Sequence, residues 1–333
     1  MPTLFRAFVV NKTGDGFTAQ VQQLTIDDLM AGEALIRVAY SSVNYKDALA
    51  SIPEGRIVRN YPFVPGIDLS GTVVESSDSR FSEGDKVLIT GYDLGVSHYG
   101  GFSEYARVKA DWIVPLPERL TLKEAMTFGT AGFEAALALD KLEKMGLKPE
   151  RGPVLVTGAT GGVGSLAISM LAKRGYNVTA STGKQSEHAY LKELGASNIL
   201  SREEVSAESS RPMEKELWAG SIDSVGGSTL AYILRTTKYG GSVAACGLTG
   251  GTALSTTVFP FILRGVNLLG IDSVFCPMDA RRELWKRMAT DLKPAALDNM
   301  MNEVTLDELP QVTASLLKGN VRGRTVVRLG GEE

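Results

Sequence analysis

Cysteine and histidine are scarce in this chain, with two of each among 333 residues. Cys246 and Cys276 are too few for a disulfide framework or a four-cysteine zinc site, and such scarcity is typical of proteins from the reducing cytosol. His98 and His188 lie far apart in the sequence, so no metal-ligand spacing is present and no bound metal is predicted. The chain also lacks a Gly-x-Ser-x-Gly turn, and neither cysteine has a histidine near it, which argues against a nucleophile–base pair.

The sequence also lacks an excess of one charge and any long apolar run. Lys and Arg number 35 against 38 Asp and Glu, for a net charge of −3. This balance disfavours nucleic acid as a partner, because phosphate binding needs a basic surface. No apolar run reaches the roughly 18 residues of a membrane span, and the first residues lack the basic-then-apolar pattern of a signal peptide. We therefore expect a cytoplasmic protein without a membrane partner.

Roughly the first 120 residues consist of short strand-like segments separated by turns. Strands at this spacing predict a small barrel or sandwich. A Thr-x-x-Glu capping box at Thr121 then predicts the start of a helix. The expected strands cover residues 5–10, 34–42, 71–75, 86–90, 104–108 and 112–115.

From Gly152 onward, strand and helix alternate, which predicts a parallel sheet with helices on both faces. The tail has a second capping box at Thr305, a helix closed by Gly319 and a last strand over residues 325–329. The tail fits either this domain or a return to the first, and the chain length favours two domains. The other expected strands cover residues 154–157, 177–181, 221–225, 242–246 and 267–273, with a helix over 185–194.

A glycine turn carries the most information about function. Gly158, Gly161, Gly162 and Gly164 follow a short apolar strand and precede an apolar helical stretch. Glycines in this context allow a tight turn, let a pyrophosphate approach the backbone, and set it at the positive end of the next helix. Glycine-rich turns are common, but the flanking strands and helix favour a dinucleotide site over a purely structural turn. No Gly-Lys-Ser/Thr follows, which excludes a Walker motif.

The end of the second strand of this region indicates which dinucleotide binds. Residues 181–184 read Ser-Thr-Gly-Lys, without the acid that would bind the ribose hydroxyls of NAD. Hydroxyl groups and the ammonium of Lys184 suit a 2′-phosphate, and Arg202 adds a second cation after the third strand. The alternative interpretation of Lys184 is a solvated residue at a helix start. The missing acid and the added cation together favour NADP(H).

These residues resemble the zinc-free branch of the medium-chain dehydrogenases/reductases, and within it the YhdH/YhfP group of acryloyl-CoA reductases and putative quinone oxidoreductases. The resemblance extends over almost the whole chain. Asn-Tyr-Lys-Asp from Asn44 and Pro-Gly-Ile-Asp from Pro65 are specific to this group, whereas the glycine turn is shared widely. The matching segments cover residues 41–49, 57–68, 129–133, 154–164, 239–248, 260–264 and 270–274.

The resemblance implies an α/β fold with two domains. A GroES-like β-barrel catalytic domain would take residues 1–125, completed by 300–333, and a Rossmann domain with a doubly wound parallel sheet would take residues 126–299. Zinc relatives carry a ligand histidine in a Gly-His-Glu element where this chain has Gly66, Ile67 and Asp68. Their cysteine-rich lobe is also missing here, so the resemblance implies a zinc-independent enzyme. It further suggests a homodimer paired through the apolar strand at residues 267–274.

The resemblance also assigns cofactor contacts, each of which could instead be a packing residue. The pyrophosphate contacts would be Thr160, Gly161, Gly162 and Val163. The loop for the 2′-phosphate would be Thr182, Gly183 and Lys184, with Arg202 as an additional contact. The nicotinamide half would lie near Leu248, Ile262, Ser273 and Tyr45.

The reaction implied is hydride transfer from NADPH to the β-carbon of a 2-enoyl-CoA, most simply acryloyl-CoA, giving propanoyl-CoA without a metal. Asn44 and Tyr45 are the candidates to stabilise the enolate-like charge, with Tyr45 or water supplying the proton. Arg56 and Arg59 are candidates for the CoA phosphates, although a solvated charged loop fits equally well. An NADPH:quinone oxidoreductase is the alternative enzyme. A non-catalytic NADPH-binding sensor is the alternative of another class.

Overall fold

A computed structural model of the chain describes residues 4–14 and 16–330. The first and last few residues of the expected catalytic domain, 1–125 and 300–333, lie outside these described residues. The strands are β1 (Leu4–Thr13), β2 (Gly16–Thr25), β3 (Ala34–Ser42), β4 (Asp68–Ser76), β5 (Lys86–Thr90), β6 (Tyr105–Val108), β7 (Val114–Pro115), β8 (Val154–Val156), β9 (Val178–Thr182), β10 (Ala196–Ser201), β11 (Trp218–Asp223), β12 (Thr237–Ala245), β13 (Asn267–Gly270), β14 (Met301–Val304) and β15 (Arg324–Arg328). The helices are α1 (Tyr45–Ala50), α2 (Leu122–Lys144), α3 (Gly162–Lys173), α4 (His188–Glu193), α5 (Gly227–Thr236), α6 (Phe259–Arg264), α7 (Met278–Ala289) and α8 (Leu309–Leu317).

The chain folds into two compact units. The first takes the described residues up to Thr130, then Val274–Ala289 and the described residues from Ala296 onward. The second takes Ala131–Ser273 and Thr290–Ala295. Helix α7 therefore lies in the first unit, whereas the sequence placed it in the Rossmann range. The reason is its buried Arg281, whose Nη1 donates to the Thr90 carbonyl at 2.8 Å and to the Thr90 hydroxyl at 3.0 Å.

The first unit is built on a seven-stranded sheet. Its order is β14-β15-β3-β4-β5-β7, with β6 also pairing β3, and β1 and β2 form a separate antiparallel hairpin. The tail joins this sheet because β15 pairs antiparallel with β3. Alternating apolar side chains point into a core that includes Phe8, Ile36, Leu69, Ile89 and Phe102. Every strand expected in this region overlaps an observed one.

The second unit is built on a six-stranded parallel sheet with the order β10-β9-β8-β11-β12-β13. The order reverses between β8 and β11, which is the switch point where open α/β sheets bind nucleotides. The central strands β8 and β11 are fully buried, as a sheet covered on both faces requires, and β11 also contains the polar residues Ser221 and Asp223. The expectation of an α/β fold with a parallel sheet is confirmed. Within the described residues, no helix is both long and apolar enough to cross a membrane.

Candidate functional site

The glycine turn connects β8 to α3 in the second unit. Gly158 has φ +58°, a left-handed conformation that favours glycine. A side chain at Gly164 would overlap the carbonyl of Gly158, so this glycine lets the helix pack closely on the turn. Gly161 is the N-cap residue of α3, and its carbonyl accepts a hydrogen bond from Ser165 Oγ at 2.7 Å. The turn thus leads directly into the positive end of a 12-residue helix.

The expected pyrophosphate contacts lie together on this turn. Thr160 is buried, whereas Gly161, Gly162 and Val163 are half-buried at the start of α3. Glycines at the helix start expose backbone N–H groups that can bind phosphate oxygens. The residues present therefore fit a pyrophosphate.

Asp223 is the last residue of β11, the strand that lies next to β8 at the switch point. The Thr157 hydroxyl donates to Asp223 Oδ1 at 2.5 Å, and the N–H groups of Val225 and Gly226 donate to its two oxygens at 3.2 and 2.9 Å. Burial raises the pKa of Asp223, and these three hydrogen bonds oppose that shift. Asp223 was not among the residues predicted from sequence, although an acid followed by Ser-Val-Gly-Gly at the end of a strand is a usable signal.

The expected 2′-phosphate loop brings Gly183 and Arg202 into contact. A Cβ atom at Gly183 would lie 3.4 Å from the Arg202 guanidinium, so that group packs over the glycine. The Lys184 N–H donates to Thr182 Oγ1 at 3.1 Å and shapes the turn between them. The exposed Arg202 and half-buried Lys184 thus flank the end of β9 with positive charge. This arrangement fits a phosphate.

Three of the four residues expected near the nicotinamide lie in the second unit and differ in exposure. Leu248 follows β12 and is 61% exposed, and Ile262 on α6 is 68% exposed. Apolar side chains with this exposure are available to contact a ligand or a partner. Ser273 is buried, and its hydroxyl donates to Glu134 Oε1 at 3.3 Å.

A buried polar cluster lies in the first unit, and we define it as Ser42, Asn44, Asp47, Asp68, Thr130 and Arg324. Its centre is Asp68, which is fully buried at the start of β4. The carboxylate accepts hydrogen bonds from Ser42 Oγ at 2.5 Å, Asn44 Nδ2 at 2.7 Å, and the N–H and hydroxyl of Thr130 at 2.9 and 2.5 Å. Such extensive bonding is what a buried carboxylate requires.

Arg324 supplies the positive charge of the buried polar cluster. Its Nη2 lies 3.8 Å from Asp68 Oδ2 and donates to Ser42 Oγ at 2.7 Å. Its Nη1 donates to the carbonyl of Val43 and to Asn44 Oδ1, and its Nε donates to the carbonyl of Thr127. Burial lowers the pKa of Arg324, and the two nearby carboxylates oppose the shift. Arg324 was not among the residues predicted from sequence, although it is the first residue of β15.

Asp47 is the second buried carboxylate of the cluster. It accepts hydrogen bonds from the N–H of Ile67 at 2.9 Å and from the N–H of Asn44 at 2.8 Å. The second bond belongs to a capping box in which Asn44 is the N-cap residue of α1. Burial and the charge of Asp68 raise the pKa of Asp47 to about 7.

Gly129 makes room for the cluster. Its φ is +51°, and it interrupts the helical backbone of α2. A Cβ atom there would lie 2.5 Å from Ser42 Oγ, 2.6 Å from Asp68 Oδ2 and 2.7 Å from Arg324 Nη2. Any other residue would therefore displace the buried ion pair.

Asn44 and Tyr45, the two expected catalytic residues, have different surroundings. The Asn44 side-chain N–H groups donate to Asp68, Asp47 and the carbonyl of Ser42, and its oxygen accepts from Arg324. Its amide is thus bound inside the cluster, which differs from the expected contact with substrate. Tyr45 is the first residue of α1 and is 46% exposed. The cluster therefore holds the helix start that presents the tyrosine.

His98 and Cys246, two further titratable residues, have surroundings that indicate structural roles. His98 is buried, its Nε2 is 2.7 Å from the carbonyl of Arg107, and its ring meets Trp112 edge-on at 5.2 Å. Burial lowers the pKa of His98, which favours its neutral form. Burial also raises the pKa of the Cys246 thiol well above its usual range, which leaves it unreactive. Among the described residues, no three His, Cys, Asp or Glu side chains are grouped as metal ligands would be.

Arg56 and Arg59, the expected substrate residues, lie on the loop after α1. Arg56 has φ +55° and follows a short 3-10 turn. Both side chains are exposed, and both line one cavity of the first unit together with Lys46. The structure thus brings the two arginines to the same space.

Two family models match the chain. The alcohol dehydrogenase GroES-like domain matches residues 30–118, and the zinc-binding dehydrogenase model matches residues 162–290. The first lies within the unit built on the seven-stranded sheet, and most of the second lies within the unit built on the parallel sheet. The expectation of a GroES-like domain beside a Rossmann sheet is confirmed.

Three relatives are similar over nearly their whole lengths. YhfP of Bacillus subtilis, called a putative quinone oxidoreductase, is 54% identical over 99% of this chain and 100% of its own. The crystal structure of B. subtilis yhfP with NAD bound covers 98% of this chain and 100% of its own, with a TM-score of 0.96. AcuI of Ruegeria pomeroyi, called an acrylyl-CoA reductase, is 52% identical over 97% of this chain and 99% of its own.

The third relative is known as a solved structure. The yhdH oxidoreductase from Salmonella enterica in complex with NADP is 48% identical and has a TM-score of 0.95, covering 98% of this chain and 100% of its own. Identity at this level over whole chains establishes common descent as well as a common fold. The chain belongs to the medium-chain dehydrogenase/reductase family, in its quinone oxidoreductase-like YhdH/YhfP branch.

Proposed function

We propose that this protein is an NADPH-dependent acryloyl-CoA reductase that forms propanoyl-CoA. The observation that carries the proposal is the 52% identity to AcuI along 97% of the chain. The geometry agrees with that assignment, because the second unit has a dinucleotide turn and the first unit anchors an exposed tyrosine on a buried polar cluster. The enzyme transfers a hydride to the β-carbon of the C=C bond, and a proton is added at the α-carbon.

The cofactor we propose is NADPH, which supplies the hydride when bound. Thr160, Gly161, Gly162 and Val163 hold the pyrophosphate at the start of α3, where the N–H groups and the helix dipole favour negative charge. Thr182, Gly183, Lys184 and Arg202 hold the 2′-phosphate, since the Arg202 guanidinium already lies against Gly183. We propose Leu248, Ile262 and Ser273 for the nicotinamide half.

Tyr45 is the residue we propose to act on the substrate. Negative charge develops on the thioester oxygen as the β-carbon is reduced, and a hydrogen-bond donor stabilises it. Tyr45 is exposed at the start of α1, and its hydroxyl can serve as such a donor. Asn44 acts as a positioning residue, because its amide ties that helix start to Asp68 and Arg324.

Turnover assays with two acceptors test the proposal. NADPH consumption is followed with acryloyl-CoA and, separately, with a benzoquinone. We expect rapid oxidation with acryloyl-CoA and formation of propanoyl-CoA. Oxidation with the quinone alone would favour a quinone oxidoreductase, the activity for which YhfP is named. Binding of NADPH without oxidation by any acceptor would indicate a sensor.

Cofactor preference is tested with the double variant Lys184→Ala, Arg202→Ala. Lys184 and Arg202 would each form a charge-assisted hydrogen bond to the 2′-phosphate. Removal of both should therefore raise the KM for NADPH about tenfold or more and leave the KM for NADH unchanged. Lys192→Ala, which removes a cation from α4 that binds the carbonyl of Ser197, serves as the matched control. An unchanged ratio of the two KM values in the double variant would refute the 2′-phosphate assignment.

We further propose that the enzyme is a cytoplasmic homodimer. Both cysteines are free thiols, which suits a reducing compartment. Strand β13 lies at the end of the parallel sheet, and alternate residues along it are exposed, including Leu268. An edge strand of this kind can pair with the same strand of a second copy.

A further inference from the structure

A cationic cavity lies in the first unit. Its volume is about 770 Å³, which is within the usual range of small-molecule sites. Its lining includes Lys46, Arg56 and Arg59, and no Asp or Glu lines it among the residues that the structure describes. A cavity with three cations and no lining carboxylate favours an anionic ligand.

The three cationic groups are available to such a ligand. In the described part of the chain, the side chains of Lys46, Arg56 and Arg59 form no hydrogen bond or ion pair. Other basic residues of the same unit are paired, such as Arg80 with Asp78 and Asp111. Because Arg56 and Arg59 are exposed, they can engage a phosphate without first breaking an internal contact.

Apart from Asn60 and Ser97, the remaining wall is formed by apolar and aromatic residues, and its two rings are held in place. The Phe63 and Tyr99 rings meet edge-on with their centroids 5.5 Å apart. The Tyr99 hydroxyl donates to the carbonyl of Pro62 at 3.1 Å, and the Phe63 N–H donates to the carbonyl of Val10 at 2.9 Å. Met30 and Ile57 extend this apolar surface. The cavity therefore suits a ligand with phosphates at one part and an apolar chain at another.

One of the residues that line the cavity is next in sequence to the proposed catalytic tyrosine. Lys46 follows Tyr45 on α1, and the start of this helix is fixed by the Asn44–Asp47 capping box. A long ligand whose reacting end lies at Tyr45 would extend past Lys46 into the cavity. A CoA thioester has this shape, with its acyl group at one end and its phosphates at the other.

We propose that this cavity binds the phosphate-bearing part of the CoA thioester, with Lys46, Arg56 and Arg59 on the phosphates and the Phe63–Tyr99 wall along the pantetheine arm. This inference rests on the proposed function and adds the reason for preferring a CoA thioester to a small enone or a quinone. Substrates without phosphates gain nothing from the three cations.

The test uses the double variant Arg56→Ala, Arg59→Ala and two thioesters. Acryloyl-CoA carries the phosphates, and acryloyl-N-acetylcysteamine ends before them. We expect the variant to raise the KM for acryloyl-CoA about tenfold or more at nearly unchanged kcat, and to leave the KM for the truncated thioester unchanged. The pair Arg56→Lys, Arg59→Lys should restore most of the affinity, and Arg211→Ala, an exposed arginine of the second unit, is the matched control.

The outcomes separate this inference from the proposed function. Turnover of both thioesters with an unchanged KM for acryloyl-CoA in the variant would overturn the cavity assignment and leave the reductase intact. An equal rise in KM for both thioesters would also overturn it, because the effect would then be structural. If wild type reduces neither thioester, the proposed function fails. Calorimetric titration with propanoyl-CoA then still tests whether the cavity binds CoA. Equal affinities of wild type and variant would refute that assignment.

Discussion

At the scale of single residues, the first unit contains two carboxylates and one guanidinium that are buried. Asp47, Asp68 and Arg324 are all buried. A buried charge costs several kcal/mol in lost hydration, and only a close partner and complete hydrogen bonding offset that cost. The Ser42 and Thr130 hydroxyls provide such bonds to Asp68. The cluster therefore contributes a fixed position for Tyr45 more than it contributes stability.

Breaking the ion pair should be strongly destabilising. Asp68→Asn removes the carboxylate that forms an ion pair with the buried Arg324, so we expect the free energy of unfolding to fall by about 3 kcal/mol or more. The double variant Asp68→Asn, Arg324→Met removes both charges and should recover part of that loss. Thermal unfolding midpoints of wild type, both single variants and the double variant measure this. Strictly additive losses would contradict the coupling that we infer.

Asp47 should make stability depend on pH. Its pKa is raised to about 7 in the folded protein, against 3.8 as its ordinary value, so the folded state keeps a proton that the unfolded state releases. Its contribution is therefore fully present below pH of about 4 and is lost as the pH rises to about 7. Relative to Asp47→Asn, wild type should lose up to about 4 kcal/mol across this window.

Unfolding midpoints of wild type and Asp47→Asn, compared from about pH 4 to pH 8, test this dependence. His98 has a lowered pKa and contributes with the opposite sign, but it is present in both proteins and cancels in the difference. A difference that stays constant with pH would show that Asp47 is ionised throughout.

Sequence motifs indicated the site only in part. Asn44, Asp47 and Asp68 fall in the two segments that identify this branch, and the structure joins them through hydrogen bonds. Arg324 was missed because its contacts cross about 280 residues of sequence, as in its bond to Asn44. A polar contact between distant segments leaves no periodic signal in either of them.

At the scale of elements, the capping residues determine where helices begin. Thr121 and Glu124 bond to each other's N–H groups at 2.9 and 3.0 Å, as the sequence predicted for the start of α2. Thr305 forms the same arrangement with Glu308. By contrast, β2 was not predicted, because its polar side chains alternate with residues that are only partly buried. Its strand form depends on pairing with β1, a contact that local sequence does not specify.

Removing the Thr121 cap should loosen the first turn of α2. Thr121→Ala leaves the Glu124 N–H without its acceptor and should cost about 1 kcal/mol. Hydrogen exchange of that amide should then accelerate by about fivefold. Thr121→Ser keeps the hydroxyl and serves as the control. Equal protection in Thr121→Ala and wild type would mean that packing of α2, and not the cap, holds this turn.

At the scale of the whole molecule, the two sheets form different kinds of site because their strands are arranged differently. Parallel strands end at one edge, where a glycine turn and a helix start together form a phosphate site. The mixed sheet of the first unit, in which most strand pairs are antiparallel, instead gathers side chains from distant segments, which suits the buried polar cluster and the cationic cavity. Alternation of strand and helix made the first arrangement predictable from sequence, whereas the second required the observed strand order.

The open edge at β13 leads to the last prediction, that two copies pair along it. Leu268 is 38% exposed on this strand, and a charged side chain on an edge strand opposes pairing with a second copy. Leu268→Glu should therefore reduce the solution mass from twice that of the chain to that of a single chain, as light scattering would show. Leu254→Glu places the same charge at a residue that is 37% exposed but outside any strand, and it should remain dimeric. A wild-type protein of single-chain mass would refute the pairing, and a dimeric Leu268→Glu variant would move the interface away from β13.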